Sequence, residues 1–279
     1  MGQHASPPFF SIVIPTLNEE HYLPNLLCDL SHQTFRDFEV IVVDANSEDQ
    51  TSYQAQQFRK GFDAFTFLAS TKRNVSHQRN LGAERAVADW LIFLDADNRL
   101  PGHFLQGIKH LTEGQRSDFL STWFAPDTEN IKDRVIATFR NIAIEIYKNT
   151  TNPLLLEAFV CAKKKAFLNL GGFDETIPFR EGSELLRRAY AHKMAFAFHR
   201  SPKFVYSYRR LRKQGAFQAL RNTLLIELAG LTNYKISPKM SKTLYPMEGG
   251  KSFELSRQNP TWSEKFLMGL RGSKKDFLS

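Results

Sequence analysis

The amino-acid sequence predicts an α/β protein with a mostly parallel sheet and helices on both of its faces. Two observations predict this class. Short apolar runs alternate with amphipathic stretches through the first hundred residues. The runs are also rich in Val, Ile and Leu without a polar residue at every second position, as in strands that are buried on both faces.

The elements of the first half follow from these runs. Strands are predicted at FFSIVIP (9–15), FEVIVVDA (38–45), AFTFLA (64–69) and WLIFLDAD (90–97). Helices are predicted between them over Glu20–His32, Asp49–Lys60 and 76–88. The loop PTLNEE after the first strand contains no glycine, which argues against a dinucleotide-binding fingerprint and a P-loop.

The pattern loosens beyond Gly102. Helices are predicted over 103–112, 130–148, 163–172 and 181–193, and strands over 154–162, 195–199 and 203–208. Gly171 and Gly172 are expected to stop the third of these helices. A last amphipathic helix, basic at its start, is predicted over 209–231, and the chain beyond Ser237 is expected to be loosely ordered.

The formal net charge of +8 is concentrated in the C-terminal part of the chain. Residues 199–279 contain 16 Lys and Arg against 5 Asp and Glu, whereas the preceding residues are slightly acidic. This asymmetry favours contact with an anionic partner, such as phosphate groups or a membrane surface. A solvated basic tail is the alternative, and no motif indicates a nucleic acid partner.

The N-terminus and the cysteines indicate a cytosolic protein. MGQHASPPFFSIVIP lacks the basic region of a signal peptide, and no apolar stretch approaches the ~18–20 residues of a membrane span. Cys28 and Cys161 lie far apart in apolar surroundings, which favours two buried reduced thiols over a disulfide.

Polar side chains lie at the ends of three of the predicted strands. They are Asn18 and Glu19, Asp44 and Asn46, and Asp95 and Asp97. The last two carboxylates repel each other when both are ionised, and a divalent cation such as Mg²⁺ or Mn²⁺ relieves this by bridging them to a diphosphate. A polar turn that caps the strand is the alternative for this pair.

Four stretches together resemble the family 2 glycosyltransferases of GT-A fold. They are SIVIPTLNE, EVIVVDANSEDQT, RNLGAERAVADWLIFLDADN and LGGFDE, and their order and spacing match over roughly residues 9–215. The resemblance implies a Rossmann-like domain at 1–212, with a nucleotide-binding half at 9–100 and an acceptor half at 101–212. The basic helical extension and tail then occupy 213–279.

The resemblance implies roles for the polar residues at the strand ends. The nucleotide sugar is held by the first-strand loop, by the end of the second strand and by an arginine near the diphosphate: Pro15, Thr16, Asn18, Glu19, Asp44, Asn46 and Arg79. Asp95 is assigned to ribose and metal, and Asp97 is the more direct ligand of Mg²⁺ or Mn²⁺. Metal and arginine then stabilise the leaving diphosphate. A turn role for Asp44 and a solvated position for Arg79 are the alternatives.

The sequence departs from the family pattern where the catalytic base is expected. The family has Glu-Asp-x-Asp-Leu-x-x-Arg at a helix start, whereas EGSELLRR has Glu181 followed by Gly182. An inverting transfer needs a carboxylate that takes the proton of the acceptor hydroxyl. Glu181 is predicted to be this base, with Glu184 or Asp174 as alternatives, or with an impaired domain. Glu184 is otherwise an i,i+4 partner of Arg188.

Two features downstream bear on the reaction and its partners. No Gln-x-x-Arg-Trp element is present, which predicts transfer of a single sugar. VYSYRRLRKQG resembles a Ser-x-Arg-Arg…Gly element, in which Arg209 and Arg210 clamp the diphosphate. The same residues also open the basic helix, which suits an anionic membrane surface, and both roles are compatible. His199 is a candidate third metal ligand, although a structural histidine is favoured.

The leading hypothesis is a metal-dependent, inverting glycosyltransferase. It moves one sugar from a UDP- or GDP-sugar to a lipid-linked or glycan acceptor, as a cytoplasmic protein bound peripherally to the inner membrane face. A non-catalytic nucleotide-sugar-binding or scaffold protein is the alternative, motivated by Gly182. A nucleotidyltransferase ranks last because its first loop is normally Gly-rich and basic, whereas PTLNEE is acidic.

Overall fold

A computed structural model describes residues 6–114, 116–150, 152–209 and 212 of the chain. Of the predicted helix over 209–231, the structure describes only Arg209 and Arg212. Arg210 and the C-terminal tail also lie outside the described residues. The domain boundary at 212 therefore stays a prediction.

Seven strands form one sheet in the order β3-β2-β1-β4-β6-β5-β7. They are β1 (Phe10–Thr16), β2 (Phe38–Asp44), β3 (Phe65–Ala69), β4 (Trp90–Leu94), β5 (Phe119–Pro126), β6 (Phe159–Lys163) and β7 (Phe196–Tyr206). Strands β1 to β4 are mutually parallel, and β7 is parallel to β5. Only β6 among these strands runs antiparallel to its neighbours, so the predicted mostly parallel sheet is confirmed.

Seven α-helices connect the strands within the described ranges. They are α1 (Leu23–Ser31), α2 (Thr51–Gln57), α3 (Val75–Arg85), α4 (Phe104–Gly114), α5 (Ile131–Tyr147), α6 (Lys164–Asn169) and α7 (Glu181–Ala191). Local chemistry sets several of their ends. Asn74 caps α3 by accepting from the backbone N–H of His77, which satisfies a donor at the helix start. Gly171 and Gly172 take positive φ angles of 79° and 74° just after α6, as predicted.

The core lies on both faces of the central strands. Every residue of β1, β2 and β4 is buried, which explains why these strands are continuous apolar runs. Aromatic side chains fill the space between β4, α6 and the segment after α6, where Phe93 packs against Phe167 and Phe173 with ring centroids 4.9 and 5.2 Å apart. Burial of each such side chain contributes about 1.5–3 kcal/mol.

The second half of the sheet differs from the sequence prediction in three places, and the first is that the strand predicted over 154–162 begins only at Phe159. Strand β5 was not predicted, because its central residues Ser121 and Thr122 are polar although both are buried. The Ser121 hydroxyl donates to the Phe159 carbonyl of β6 at 2.8 Å, which satisfies the buried group. The two strands predicted at 195–199 and 203–208 form the single strand β7.

Candidate functional site

The carboxyl ends of β1, β2 and β4 meet at one edge of the sheet, because these strands are parallel neighbours. Thr16 ends β1 opposite Asp44, which ends β2. Strand β4 ends at Leu94, so Asp95 and Asp97 follow at the same edge. The predicted convergence of polar side chains is therefore confirmed, at the edge where α/β sheets bind ligands.

Hydrogen bonds within the chain order the loop after β1. The Thr16 hydroxyl donates to Asp44 Oδ1 at 3.0 Å, and Asp44 also accepts from the backbone N–H and the hydroxyl of Ser47 at 2.8 and 2.5 Å. Asn18 has a left-handed φ of 54°, and its side-chain oxygen accepts from the Glu48 N–H at 2.8 Å. Asp44 thus stabilises the turn, and its contact with a nucleotide base stays a prediction.

Two other predicted donor-binding residues lie beside this loop. Pro15 is in β1, opposite Val43 of β2. Asn46 has a left-handed φ of 57°, which asparagine tolerates better than most residues, and its carbonyl accepts from Arg73 Nη2 at 3.1 Å. The backbone of both residues therefore borders the edge.

The turn that carries the two aspartates is tied to the start of β6. The Asp95 N–H donates to the Ala158 carbonyl at 3.1 Å, and the side-chain amide of Asn98 donates to the same carbonyl at 2.5 Å. Asn98 is fully buried, and its own N–H donates to the Asp95 carbonyl. Asn98 thereby holds the turn in place and presents Asp95 and Asp97 at the sheet edge.

Arg79 is buried between two carboxylates, which rules out the solvated position considered above. Its Nη2 donates to Asp95 Oδ1 at 2.7 Å and its Nη1 donates to Glu181 Oε1 at 2.8 Å. The guanidinium also lies 5.3 Å from the ring centroid of Phe173. Burial alone would lower the pKa of Arg79, but Asp95 and Glu181 raise it above its ordinary value, so the side chain is a fixed cation.

Arg209 makes a second cluster of the same kind. Its Nη1 and Nη2 donate to the two carboxylate oxygens of Glu19 at 2.8 and 2.7 Å, and its Nε lies 2.9 Å from Asp97 Oδ2. The guanidinium also lies 4.4 Å from the ring centroid of Tyr22. Strand β7 brings Arg209 here, because Val205 near its end pairs with the residue two after Asp97.

Glu19 is almost completely buried at the first-strand loop. Burial raises the pKa of its carboxyl group to about 7 from the ordinary 4.5, and Arg209 opposes this rise. The backbone N–H of Glu19 also donates to the Thr51 hydroxyl at 2.7 Å. Glu19 is therefore held on both sides and fixes Arg209 beside Asp97.

The remaining candidate carboxylates are Glu181 and Glu184 in α7 and Asp174, which precedes this helix. Glu181 is the first residue of the helix and is held by Arg79. Glu184 pairs with Arg188 at 2.8 Å, as the i,i+4 alternative predicted. Asp174 accepts from the N–H and the hydroxyl of Thr176, and these bonds lower the pKa of Asp174.

Helix α3 also fastens the LGGFDE segment. Asn80 exchanges two hydrogen bonds of 2.9 Å with the backbone of Phe173, and His77 contacts Glu175 at 2.9 Å. Arg79 on the same helix reaches Asp95. The two motifs, distant in the sequence, therefore form one structural unit.

Three residues of the site were missed by the sequence reasoning. Gln78 donates from its side chain to the carbonyls of Thr16 and Val43, at the ends of β1 and β2. Asn98 holds the aspartate turn, and Glu157 accepts from Arg79 Nη2 through its carbonyl at 3.2 Å. Glu157 is the single acid in the apolar run LLLEAFVCA, and this isolated charge is the feature of the sequence that could have indicated its role.

The paired aspartates suit a hard divalent cation. Mg²⁺ is usually bound by one or two carboxylates together with the phosphates of a substrate, and Asp95 and Asp97 supply such a pair. In the described part of the chain, no group of three or more His, Cys, Asp or Glu is placed to hold a metal ion. His199 accordingly does not complete a metal site there, and burial lowers the pKa of its ring.

Solved structures share this fold. The mannosyltransferase PcManGT from Pyrobaculum calidifontis, in complex with GDP-Man and Mn²⁺, superposes with a TM-score of 0.65 at 19% identity, over 88% of this chain and 70% of that one. A seven-stranded, mostly parallel sheet with paired aspartates at its carboxyl edge defines a protein of the GT-A fold.

The sequence comparisons then give the family. The profile described as "Glycosyl transferase family 2" matches residues 11–171, and the chain belongs to this family. A PGL/p-HBAD biosynthesis glycosyltransferase of Mycobacterium bovis is 38% identical over 33% of this chain. The GalNAc(5)-diNAcBac-PP-undecaprenol beta-1,3-glucosyltransferase of Campylobacter jejuni is 30% identical over 33% of it. The matched part spans only about a third of these relatives, 37% and 31% of their lengths.

Proposed function

We propose that this protein transfers one sugar from a UDP- or GDP-sugar to a hydroxyl group of a lipid-linked or glycan acceptor, with inversion at the anomeric carbon. The observation that carries the proposal is the meeting of Asp95 and Asp97 with one buried and one partly buried arginine, Arg79 and Arg209, at the carboxyl edge of the sheet. The relatives support the substrates, since PcManGT is named with GDP-Man and Mn²⁺ and the Campylobacter enzyme has undecaprenol in its name.

The chain's own residues divide the work of the transfer. Asp97, with Asp95, would hold Mg²⁺ or Mn²⁺, which when bound neutralises charge on the diphosphate. The loop from Pro15 to Glu19 and the turn from Asp44 to Asn46 would hold the nucleoside. Arg79, Arg209 and Arg210 would lie near the diphosphate, where fixed cations stabilise the leaving group.

One bond forms and one bond breaks at the anomeric carbon in this reaction. The acceptor oxygen bonds to the anomeric carbon while a carboxylate takes its proton. The bond from the anomeric carbon to the diphosphate breaks, and its electron pair leaves on the diphosphate oxygen. Glu181 is the predicted base, and its position at the start of α7 beside Arg79 supports a place near this reaction.

We also propose a cytoplasmic location at the inner membrane face, through the basic C-terminal part. The excess of Lys and Arg there supports attraction to anionic lipids. No helix in the described ranges has the length and apolarity needed to span a bilayer. Flotation with anionic liposomes at low salt tests this, and protein that stays in the unbound fraction would contradict it.

A binding experiment tests the donor site. UDP and GDP are titrated into the protein by calorimetry, with Mn²⁺ and with EDTA. We expect one of them to bind only with Mn²⁺, and Asp97→Asn to weaken it at least tenfold. Asp89→Asn is the matched control, because Asp89 is an exposed acid just before the same strand, β4. Binding in EDTA would contradict the metal assignment, and no binding at all would contradict the donor site.

The scaffold alternative is favoured by one feature, the glycine at 182 beside a base candidate that is already paired with Arg79. Nucleotide release from UDP-, GDP- and dTDP-sugars separates the two functions. Tight Mn²⁺-dependent nucleotide binding without release from any sugar donor would favour the scaffold. Release that Asp97→Asn abolishes would favour the transferase.

A further inference from the structure

One face of helix α5 is apolar and exposed to solvent. Five large hydrophobic side chains, between 40% and 69% exposed, lie on this face: Ile131, Val135, Phe139, Ile142 and Ile146. Successive members are three or four residues apart, so they line one side of the helix. At 1.5 Å per residue, the line is roughly 22 Å long. These five residues are called the α5 stripe below.

The opposite face of α5 is fastened to the sheet. Ala137, Asn141 and Ile144 are buried on that face. The side chain of Asn141 exchanges two hydrogen bonds with the backbone of Phe124 on β5, at 3.2 and 2.9 Å. Rotation of the helix would leave these buried polar groups without partners, which is costly. The orientation of α5 is therefore fixed, and the stripe faces outward.

The charges on α5 indicate what such a stripe contacts. A contiguous apolar patch on a protein surface marks a contact with another protein, a ligand or a membrane. The helix and the residue after it carry four cations, Lys132, Arg134, Arg140 and Lys148, against the two acids Asp133 and Glu145. Lys132 and Arg134 are exposed, as the stripe is. The surroundings of the stripe are therefore basic.

Strand β7 adds further positive charge beside α5. Arg200 pairs with Glu145 at 3.2 Å, so one of the two acids of the helix already has a cation. Arg200 and Lys203 are both exposed, and they lie 5.1 and 5.3 Å from the ring centroid of Trp123 on β5. A second copy of the chain would bring like charges together, which repel each other. The anionic headgroups of a bilayer attract them instead.

The stripe begins at the edge of the sheet that carries the candidate site. Strand β5 is parallel to β7 and, through β6, to β4, so the carboxyl ends of these strands share that edge. Asp127, just after β5, pairs with Arg212 and accepts from the N–H of Tyr208. Helix α5 then begins at Ile131. A membrane against the stripe would therefore lie close to the segment that carries Arg209.

We propose that the α5 stripe docks on a bilayer of anionic phospholipids. The apolar side chains enter the boundary between headgroups and acyl chains, and the surrounding Lys and Arg contact lipid phosphates, as in an interfacial amphipathic helix. The inference rests on the membrane location in the proposed function and adds an apolar point of attachment to the basic C-terminal part. Two attachments orient the site towards a lipid-linked acceptor, whereas attraction of a basic segment alone does not.

Flotation with vesicles at about 0.15 M salt tests the docking, because this salt weakens the attraction of a basic segment. The vesicles contain phosphatidylcholine with or without phosphatidylglycerol. The double variant Phe139→Gln/Ile146→Gln removes two members of the stripe, and Gln is a good helix former. We expect its partitioning onto the anionic vesicles to fall at least about tenfold, with UDP or GDP binding unchanged within about threefold.

The matched control is Tyr53→Gln/Leu168→Gln. These two side chains are apolar and exposed on other helices, α2 and α6, at 60% and 43%. The control variant should partition onto the anionic vesicles as the unaltered protein does. Equal partitioning of the stripe variant and the control would overturn the inference and leave the basic C-terminal part as the attachment.

A tryptophan in the stripe reports insertion directly. The emission of Phe139→Trp, after subtraction of the spectrum of the unaltered protein, should shift to the blue on anionic vesicles and be quenched by brominated lipid. Tyr53→Trp should show neither change. Vesicle binding without a shift in the Phe139→Trp emission would show attachment by charge alone, which contradicts the docking of the stripe.

The remaining outcomes distinguish other occupants of the stripe. If the unaltered protein is a dimer by sedimentation equilibrium and the stripe variant is a monomer that still floats, the stripe binds a second copy. If the stripe variant unfolds at a lower temperature than the control, another segment of the chain covers the stripe. Either result overturns the inference.

The transfer reaction is tested separately from the docking. An unaltered protein that binds UDP or GDP with Mn²⁺ but does not float with anionic vesicles would refute the docking and leave the proposed transfer standing. An unaltered protein that floats as expected but binds neither nucleotide would refute the proposed transfer alone.

Discussion

The two arginines that hold the paired aspartates differ in burial and in where they come from. Arg79 lies on α3, within the first half of the chain, and its side chain is 2% exposed. Arg209 follows β7 and its side chain is 15% exposed. Arg79 holds Asp95, and Arg209 holds Asp97. Each arginine also holds one glutamate, so the site consists of two similar clusters in different surroundings.

The difference indicates a division between stability and binding. A fully buried cation has lost its hydration, and its contacts with carboxylates compensate for that loss. Removal of either partner therefore lowers the free energy of unfolding strongly. A partly exposed cation such as Arg209 remains closer to water and exchanges one anion for another more readily. We therefore expect Arg79 to stabilise the fold and Arg209 to act mainly on the ligand.

Replacement of Arg79 is expected to give the largest effect. Arg79→Met keeps the contact with Phe173 but leaves the buried carboxylate of Glu181 and the partly exposed carboxylate of Asp95 without their cation. The free energy of unfolding should fall by about 3–5 kcal/mol, as it does when one partner of a buried pair is removed. Urea denaturation followed by circular dichroism measures this change.

Arg73 provides the matched control for this variant. It precedes α3 and pairs with Glu48 at 2.7 Å, but both side chains are about half exposed. Arg73→Met should change the free energy of unfolding by less than about 1 kcal/mol, because exposed ion pairs contribute little. Equal losses for the two variants would contradict the distinction between the clusters.

Local signals were enough to predict the first four strands of the sheet. Strands β1, β2 and β4 are continuous apolar runs that end in polar residues, and each feature is visible within about ten residues. The direction of β6 and the existence of β5 were not visible in this way. Buried Ser121 is satisfied by a carbonyl of the neighbouring strand, which no local pattern reveals.

The parts of the candidate site that depend on local sequence were predictable for the same reason. The parts that depend on contacts between distant residues were not. Asp95 and Asp97 follow directly from the end of β4, whereas the burial of Arg79 depends on Glu181, 102 residues away. The contact of Glu157 with Gly182 is also long-range, so the missing acid at 182 looked like a defect in the sequence. The structure shows that another glutamate fills the space.

The pH dependence of stability should reveal the second cluster. The Glu19 carboxyl titrates near pH 7 in the folded protein and near 4.5 in the unfolded chain. The folded state therefore holds more protons between these values, so the free energy of unfolding falls as the pH rises from 4.5 to 7. The loss attributable to this group is up to about 3 kcal/mol.

Denaturation of the unaltered protein and of Glu19→Gln across pH 4.5–8 isolates this effect. Gln still accepts a hydrogen bond from Arg209 but does not titrate. The difference between the two stability curves should follow the titration of one group and level off above pH 7. Parallel curves would show that burial does not raise the pKa of Glu19.

Of the replacements within the two clusters, that of Arg209 should lower the free energy of unfolding the least. Its main effect is expected on nucleotide binding, which distinguishes Arg209 from Arg79. In Arg209→Ala, Glu19 is able to protonate and water is able to reach Asp97, so the loss should be only about 1 kcal/mol. The binding of UDP or GDP with Mn²⁺ should weaken at least tenfold, because a cation beside the diphosphate is gone.

Arg212→Ala separates this effect from a general loss of positive charge. Arg212 lies three residues further along and pairs with Asp127 at 2.7 Å. Its replacement removes the same charge but no partner of Asp97 or Glu19, so nucleotide binding should stay within threefold. Calorimetry on both variants decides the point. If they weaken binding equally, the ligand responds to the total charge of this region rather than to the cluster, and the two arginines of the site differ only in burial.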